Sequence, residues 1–299
     1  MSLQCVFSAD DFALNRSCSE AIIEAIAQGR LQATSVLAGG EDQANFKRLS
    51  DAKPIFINVH LNLLEGKALT SGGAAFGITT KDNFFCLTLG ELIKKLMFSP
   101  KRDGLKQWIL AEFCQQIEFV YRHFPQYEMR LDGHLHIHIL PPLRDVMANI
   151  FKKYPINYVR IPSELKYVRN IEAFEKIKGN LRRFLLRYWA QGLRQLIDRN
   201  HISTSDYFLG AQASCQLTRD DLDTGLGAIA QLNKAPNPII EVMTHPVTDD
   251  VDDKLFYKDS RYSAAHVTAQ RKNELNLLLS DDIVSILHKN NAIFFAKNN

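Results

Sequence analysis

The sequence predicts an α/β fold in which mainly parallel strands form a variant (β/α) barrel with helices outside. Short apolar runs alternate along the chain with longer stretches of helical spacing. Strands that are separated by helices pair in parallel through right-handed crossovers. About six to eight such units favour closure into a barrel over an open sheet. We therefore expect residues 1–299 to form a single barrel domain.

Eight short runs are predicted to be strands because each is apolar and flanked by turn or helical sequence. In chain order they are residues 3–9, 34–38, 55–61, 129–136, 158–161, 207–209, 239–243 and 293–296. Helical spacing is found at 18–29, 105–124, 217–233 and 265–279. At the first of these helices, Ser17 and Glu20 have the spacing of a capping box, and Gly29 is a stop signal.

Two segments interrupt this regular alternation. Residues 64–104 contain SGGAAFG and SPKRDG around a short helix, which predicts a loop insertion over one rim of the barrel. The helical segment 163–200 is basic, with nine Lys or Arg between residues 166 and 200. A solvated helix face is the simplest interpretation of the basic segment. A homodimer contact, a polar substrate rim and an anionic membrane surface are the alternatives.

The composition limits the classes of partner and compartment. The chain is 46% hydrophobic and 23% charged with a net charge of +3, whereas nucleic-acid binding calls for a more basic chain and a recognisable module. No run approaches 18 apolar residues, so no membrane span is predicted. The start of the chain does not resemble an export signal, and its five cysteines are scattered without a CxxC pair. We therefore expect a cytoplasmic protein.

Ionisable side chains lie at the carboxyl ends of four predicted strands, where barrels of this kind carry their chemistry. Asp10 and Asp11 end the first strand, and His60 lies near the end of the third. The fourth run, MRLDGHLHIHILPP, carries Asp132 and three histidines, and His245 follows the seventh. We expect these side chains to meet at one rim.

Each of these residues also has a structural interpretation. A lone histidine such as His60 is more often a hydrogen-bonded packing residue than a metal ligand, and Asp11 alone could begin the turn into the next helix. In a strand, His134, His136 and His138 share one face, and three imidazoles are costly to bury without partners. An exposed edge strand is the alternative for this run.

The convergence of these groups favours metal chemistry. One carboxylate and two imidazoles form a facial set of ligands that leaves positions open for water and substrate. A bound metal ion lowers the pKa of water and polarises a carbonyl oxygen. An adjacent carboxylate can then take the proton of the water, and His245 is placed to serve the leaving group. The strand ends therefore predict a metal-dependent hydrolase.

Four motifs, in this order, resemble the pattern of the YdjC-like carbohydrate deacetylase family, which includes chitooligosaccharide deacetylases. ADDFA, HLNL, DGHLHIHILP and THP stand where the family has A-D-D-F-G, H-x-x-x-T, D-S-H-x-H-x-H-x-L-P and H-P. VRIP at 159–162 and DSRYSAAHVTAQRKNEL at 259–275 also resemble family stretches. The resemblance extends from the first strand to the C-terminal helix.

This resemblance implies a barrel that removes N-acetyl groups from amino sugars with a divalent metal ion. Carried over by position, Asp11, His60 and His134 would bind the metal, and Asp10 would be the general base. His245 would be the acid or the group on the oxyanion side. Two imidazoles suit zinc, while the resemblance leaves magnesium open.

Arg160, Asp132 and His136 complete the expected site as substrate-binding residues. Arg160 directly follows a predicted strand, where it would bind a substrate anion or the acetyl oxygen; an ordinary ion pair is the alternative. The rival functions are a catalytically silent carbohydrate-binding or regulatory barrel and a metallophosphoesterase. The second rival lacks a phosphate-cradling glycine loop in the sequence.

Three positions depart from the family pattern. Ala13 stands where the family usually has glycine, Gly133 where it has serine, and Asn62 and Leu63 replace a polar pattern after the histidine. The alanine matters if its position requires a positive φ. None of the departures removes a proposed ligand, and together they indicate a diverged branch of the family.

Overall fold

Residues 2–233, 235–248 and 269–297 are described in the computed structural model of this chain. The strands are β1 (Leu3–Phe12), β2 (Ala33–Val36), β3 (Phe56–Leu61), β4 (Arg130–Gly133), β5 (Tyr158–Val159), β6 (Tyr207–Leu209), β7 (Ile239–Thr244) and β8 (Ala292–Phe294). The helices are α1 (Arg16–Ala27), α2 (Phe46–Ala52), α3 (Leu89–Phe98), α4 (Arg102–His123), α5 (Arg144–Lys153), α6 (Ala173–Arg199), α7 (Arg219–Leu232), α8 (Ala269–Leu279) and α9 (Asp282–Lys289).

The strands form one parallel sheet in the order β5-β4-β3-β2-β1-β7-β6, and β8 pairs with the start of β1. The sheet curls until each edge strand approaches a segment that lies next to the other edge strand. Two isolated parallel bridges, between Tyr158 and Ser203 and between Glu164 and Phe208, join the β5 side to the β6 side. We call this junction the seam. The prediction of a barrel-like parallel sheet with helices around it is confirmed.

All eight predicted strands are present, but the fourth is shorter than expected. β4 stops at Gly133, and His134–Ile139 forms short 3₁₀ turns that are joined by a kink at Leu135 and His136, whose φ values are 47° and 57°. The prediction that three histidines share one face of a strand is therefore wrong. The sequence HLHIHI alternates apolar and polar residues, and this tight turn buries Ile137 and Ile139 as a strand would.

Most long helices lie where their spacing predicts them. The first begins two residues earlier than predicted, because Asn15 caps α1 by accepting a hydrogen bond from the backbone N–H of Cys18 at 2.9 Å. The predicted Ser17 capping box is wrong, since Ser17 lies inside the helix. A capping box does begin α7, between Thr218 and Asp221. Residues 265–268 of the last predicted helix lie outside the described part of the chain.

The segment predicted as a loop insertion is built from short elements. It contains a 3₁₀ helix at Gly73–Phe76, single antiparallel bridges from Lys67 to Phe84 and from Thr79 to Phe85, and α3. α6 lies within the predicted basic segment. Among the described residues, no helix has both the length and the apolar character needed to cross a membrane.

The apolar core lies between the sheet and its helices and fixes the strand ends in place. Phe7 of β1 and Phe113 of α4 are completely buried there. Burying a side chain of this size stabilises the fold by roughly 1.5–3 kcal/mol. The carboxyl ends of β1, β3, β4 and β7 are consequently held at one rim.

Candidate active site

Both aspartates at the end of β1 are buried, with 3% and 2% of Asp10 and Asp11 exposed. Adjacent residues of a regular strand point to opposite faces of the sheet. Here the pairing of β1 with β2 shifts register between Ala9 and Phe12, and Asp11 has a φ of 70°. A bulge of this kind redirects side chains next to active sites. As a result both carboxylates line the same cavity.

Asp11, His60 and His134 come together as a group whose ligand atoms lie within 4.8 Å of one another. Oδ1 of Asp11 is 3.0 Å from Nδ1 of His134 and 3.6 Å from Nε2 of His60. The other oxygen of Asp11 accepts a hydrogen bond from Arg271 at 2.9 Å. Three different strand ends thus supply one carboxylate oxygen and two ring nitrogens to one point.

Two further carboxylates lie next to the ring nitrogens that face away from Asp11, and they orient the imidazoles. Asp132 Oδ1 lies 2.7 Å from Nδ1 of His60, and Glu65 Oε2 lies 3.5 Å from Nε2 of His134. In each ring the opposite nitrogen faces Asp11. Carboxylates in this position fix the tautomer and orientation of histidines that bind metal ions.

The electrostatics of the group favour a cation. Burial would lower the pKa of His60, but the charges of Asp132 and Asp10 outweigh it and raise the pKa to about 9. Burial likewise opposes protonation of His134, and Glu65 and Asp11 raise its pKa to about 10. Burial would raise the pKa of Asp11, yet its hydrogen bonds to the two rings hold that pKa well below the ordinary value.

The donor set therefore fits a divalent metal ion. Without an ion, protons on the two imidazoles balance the surrounding carboxylates, and an ion would take their place because ligating histidines must be neutral. A second group, Asp10, His60 and Asp132, also has ligand atoms within 4.8 Å. It fits less well, because Arg160 already binds both of its carboxylates.

Arg160 is completely buried inside the barrel and joins several strands. Its Nη1 donates to Asp10 Oδ2 at 2.7 Å, and its Nε donates to Glu241 Oε1 at 2.9 Å. Its Nη2 lies 3.1 Å from Asp132 Oδ2. Neither Arg160 nor Asp132 lines the cavity, although both were expected to contact substrate. They hold Asp10 and His60 in place instead.

His245 and His136 both line the cavity. Nε2 of His245 lies 4.0 Å from Asp10 Oδ2, and burial lowers the pKa of His245 to about 4 despite the nearby aspartates. Burial, followed by the charge of Arg160, holds the pKa of His136 well below its ordinary value. His138 is outside the cavity, where its Nε2 donates to the carbonyl oxygen of Arg160 at 2.9 Å.

Sequence reasoning assigned no site role to four residues that support the site, although two of them lie in the family-like stretch 259–275: Glu65, Glu241, Arg271 and Glu274. Glu241 was detectable, because it is the one charged residue in the otherwise apolar strand of β7. Arg271 and Glu274 are three residues apart on α8, so they share a helix face; Glu274 accepts a hydrogen bond from the backbone N–H of His245 at 2.5 Å. Nothing in the local sequence distinguishes Glu65.

The cavity over these groups has a volume of about 590 Å³. Asp10, Asp11 and the histidines form one part of its lining, and α6 contributes another part. A cavity of this size, with convergent polar groups and shifted pKa values, is typical of a small-molecule site.

The model of the family described as YdjC-like protein matches residues 4–289 of this chain. A carbohydrate deacetylase of Danio rerio is 24% identical over 207 residues, which are 69% of this chain and 64% of that protein. A carbohydrate deacetylase of Xenopus laevis is 24% identical over 82% of this chain and 81% of its own length. A chitooligosaccharide deacetylase of Klebsiella pneumoniae (strain 342) is 25% identical over 82% of each chain. The match to the Danio rerio protein thus spans less than two thirds of that relative.

One solved structure shares the fold over nearly the whole length. It is a protein of Enterococcus faecalis V583 to which cellobiose-phosphate cleavage has been attributed. The two chains superpose with a TM-score of 0.68, at 15% identity, over 99% of this chain and 98% of the other. At this identity the likeness concerns the fold alone.

Proposed function

We propose that this chain, which belongs to the YdjC-like family, is a metal-dependent hydrolase that removes the acetyl group from an N-acetylated amino sugar or a related glycoconjugate. The names of the deacetylase relatives support this reaction. The observation that carries it is the meeting of Asp11, His60 and His134 at the strand ends, directly beside Asp10.

In this proposal Asp11, His60 and His134 hold the ion, which is zinc or magnesium. When bound, the ion supplies a Lewis acid that polarises the amide carbonyl and lowers the pKa of water. Asp132 and Glu65 orient the two rings and fix the nitrogen that each presents. Arg271 holds the other oxygen of Asp11, which leaves Oδ1 directed at the ligand group.

Asp10 acts as the general base. It takes a proton from the attacking water, whose oxygen forms a bond to the acetyl carbon. Arg160 and Ser35 donate to its two oxygens, at 2.7 and 3.2 Å, and thereby fix the direction of the carboxylate. The bond from the acetyl carbon to nitrogen then breaks, so that acetate and a free amine are the products.

His245 delivers a proton to the departing amine. Because its pKa is about 4, the ring is neutral at pH 7 and must gain a proton during the reaction. Asp10 is 4.0 Å from its Nε2, so the proton taken from water has a short route to this ring. Glu274 holds the backbone of His245 in position. His136, which lines the same cavity, contacts the sugar.

We place the protein in the cytoplasm as a single domain, which the five free cysteines support because a reducing compartment maintains thiols. A homodimer contact, if the protein forms one, is expected in the segment 166–200. Sedimentation velocity over a range of protein concentrations tests this contact.

The test of the function is acetate release from N-acetylglucosamine and N,N′-diacetylchitobiose, measured together with metal content. The protein is stripped with a chelator and reloaded with zinc or with magnesium, and activity is expected to return with the ion. Sugar binding without acetate release would instead identify a silent carbohydrate-binding barrel. Release of phosphate from sugar phosphates without acetate would identify a metallophosphoesterase.

A further inference from the structure

One wall of the cavity is an apolar face of α6. Leu181, Leu185, Leu186 and Trp189 follow one another at helical spacing and all line the cavity. Leu89 and Met243 add to the same apolar lining. The side chains Lys178 and Arg182 of α6 also reach the cavity; both are exposed, and their charged ends contact Glu175 and the carbonyl oxygen of Ala211. This wall therefore offers mainly hydrocarbon surface.

Such a wall suits an apolar group better than a second sugar. The hydroxyls of an additional sugar ring that pack against the leucines would exchange their hydrogen bonds to water for contact with side chains that cannot replace them. An alkyl or aryl group would instead gain from removing its own surface and that of the leucines from water. A volume of about 590 Å³ lies within the range that holds drug-sized ligands, which leaves room beyond one acetylated sugar ring.

The apolar surface continues outside the cavity. Leu181 lines the cavity and is also 56% exposed, and its helical neighbours Ile177 and Phe184 are 65% and 61% exposed. These residues are spaced by three or four positions and lie on one side of α6. A hydrocarbon group too long for the cavity would therefore find a continuous apolar path along the helix.

We propose that the substrate is an N-acetylated amino sugar linked to an apolar aglycone, and that α6 binds this aglycone through Leu181, Leu185 and Trp189. The inference rests on the proposed deacetylation and names the substrate class of that site. The acetyl group meets the carboxylates and imidazoles at the strand ends, while the aglycone lies along the helix. Leu181, Leu185 and Trp189 are thus specificity-determining residues rather than catalytic ones.

The experiment compares the hexyl and methyl glycosides of N-acetylglucosamine, used below the micelle concentration, with N,N′-diacetylchitobiose. We expect kcat/KM for the hexyl glycoside to exceed that for the methyl glycoside by roughly ten-fold, mostly through KM, because part of the added chain is buried. Diacetylchitobiose should be processed less well than the hexyl glycoside, because its second ring meets the leucine wall.

Two leucines of similar exposure give a matched pair of variants. Leu181→Asn alters the wall, whereas Leu232→Asn makes the same change on α7, at a residue that is 62% exposed and does not line the cavity. The ratio of hexyl to methyl kcat/KM should fall at least about three-fold in Leu181→Asn, which loses part of the apolar contact. The ratio should be unchanged in Leu232→Asn.

Binding of the deacetylated hexyl and methyl glucosaminides, measured by calorimetry, separates the two proposals because it requires no turnover. One outcome would be tighter binding of the hexyl compound that is lost in Leu181→Asn, together with no acetate release from any substrate. This outcome would contradict the proposed deacetylation but support binding of an apolar aglycone. Equal binding of both compounds would overturn the apolar aglycone. Preference for diacetylchitobiose over the hexyl glycoside would overturn it as well.

Discussion

Asp132 Oδ1 lies 2.7 Å from Nδ1 of His60, and this contact determines that Nε2 is the ring nitrogen directed at Asp11. Asp132 is completely buried and lies one strand away from His60, at a directly paired position of β3 and β4. The parallel register of two strands therefore sets the orientation of a proposed ligand. The pair His60–Asp132 thus contributes both to the pairing of β3 with β4 and to the orientation of the His60 ring.

The first prediction concerns that contact. Asp132→Asn retains the size of the side chain but removes the charge that holds His60, and we expect metal affinity to fall 10- to 100-fold. Zinc titration against a competing chelator measures the change. Asp103→Asn, at an exposed position on α4, is the matched control and should bind zinc as the unaltered protein does. Equal affinity in both variants would contradict an orienting role for Asp132.

The two adjacent aspartates should respond differently to the same substitution. Asp10→Asn should retain the ion and lose at least about 100-fold in kcat, because the proposed base can no longer accept a proton. Asp11→Asn should lose the ion itself, because it replaces the one carboxylate of the ligand group. Metal content and acetate release, measured on the same preparations, distinguish the two. If Asp10→Asn lost the metal and Asp11→Asn retained it, Asp10 would be the metal ligand and Asp11 the general base.

A third prediction follows from the backbone of Ala13, which has a φ of 69°. The left-handed region costs a non-glycine residue roughly 1–2 kcal/mol, and hydrogen bonds from Ala13 N–H to Ser19 and from Asp42 N–H to its carbonyl oxygen keep it there. Ala13→Gly relieves this strain, although it removes a buried methyl group. Its free energy of unfolding should exceed that of Ala21→Gly, in α1, by at least about 1 kcal/mol. Urea denaturation of both variants measures this difference. Equal decreases in the free energy of unfolding would contradict backbone strain at Ala13.

The fourth prediction concerns pH and Glu164, which is completely buried near the seam. Burial raises its pKa from 4.5 to about 7, although the backbone N–H groups of Gly210 and Gln212 donate to it at 2.6 Å. Between these pH values the folded chain binds more protons than the unfolded chain. The contribution of Glu164 to the free energy of unfolding therefore falls as pH rises, by about 3 kcal/mol at most.

Glu164→Gln removes this titration. At pH 5 the variant should be less stable than the unaltered protein, because its amide cannot accept both backbone hydrogen bonds. The difference in stability between the unaltered protein and the variant should shrink, or reverse in sign, when the pH is raised to 8. Thermal unfolding at both pH values measures it, with the exposed Glu24→Gln as a control whose difference should not change. A difference for Glu164→Gln that is constant with pH would rule out the elevated pKa.

The strand pattern was accessible from sequence because buried parallel strands are short apolar runs. Likewise, the carboxyl-end rule identified Asp10, Asp11, His60 and His245 before any coordinates, and all four line the cavity. The short helices α2, α5 and α9, of 7, 10 and 8 residues, were missed, whereas the short helix within residues 64–104 was expected and is present as α3.

Sequence patterns could not resolve conformations that depend on neighbouring chain segments. The HLHIHI run reads as a strand, and only the packing after Gly133 turns it into a 3₁₀ helix. A Cβ at Gly133 would lie 2.8 Å from Nδ1 of His138, which explains why serine does not fit at this position here. Similarly, Arg160 follows a strand as a substrate-binding residue might, but its burial among Asp10, Asp132 and Glu241 depends on four separate strands.

The seam has a mechanical consequence for the protein. Every other neighbouring pair of strands in the path is joined by a ladder of two or more residue pairs, whereas β5 and β6 each reach only a segment next to the other strand, through one isolated bridge each. The barrel wall is therefore weakest along this line, and α6 is the connection that spans it in the chain. An opening of the wall along this line would leave in place the ladders that hold the two aspartates of β1 and His60 of β3.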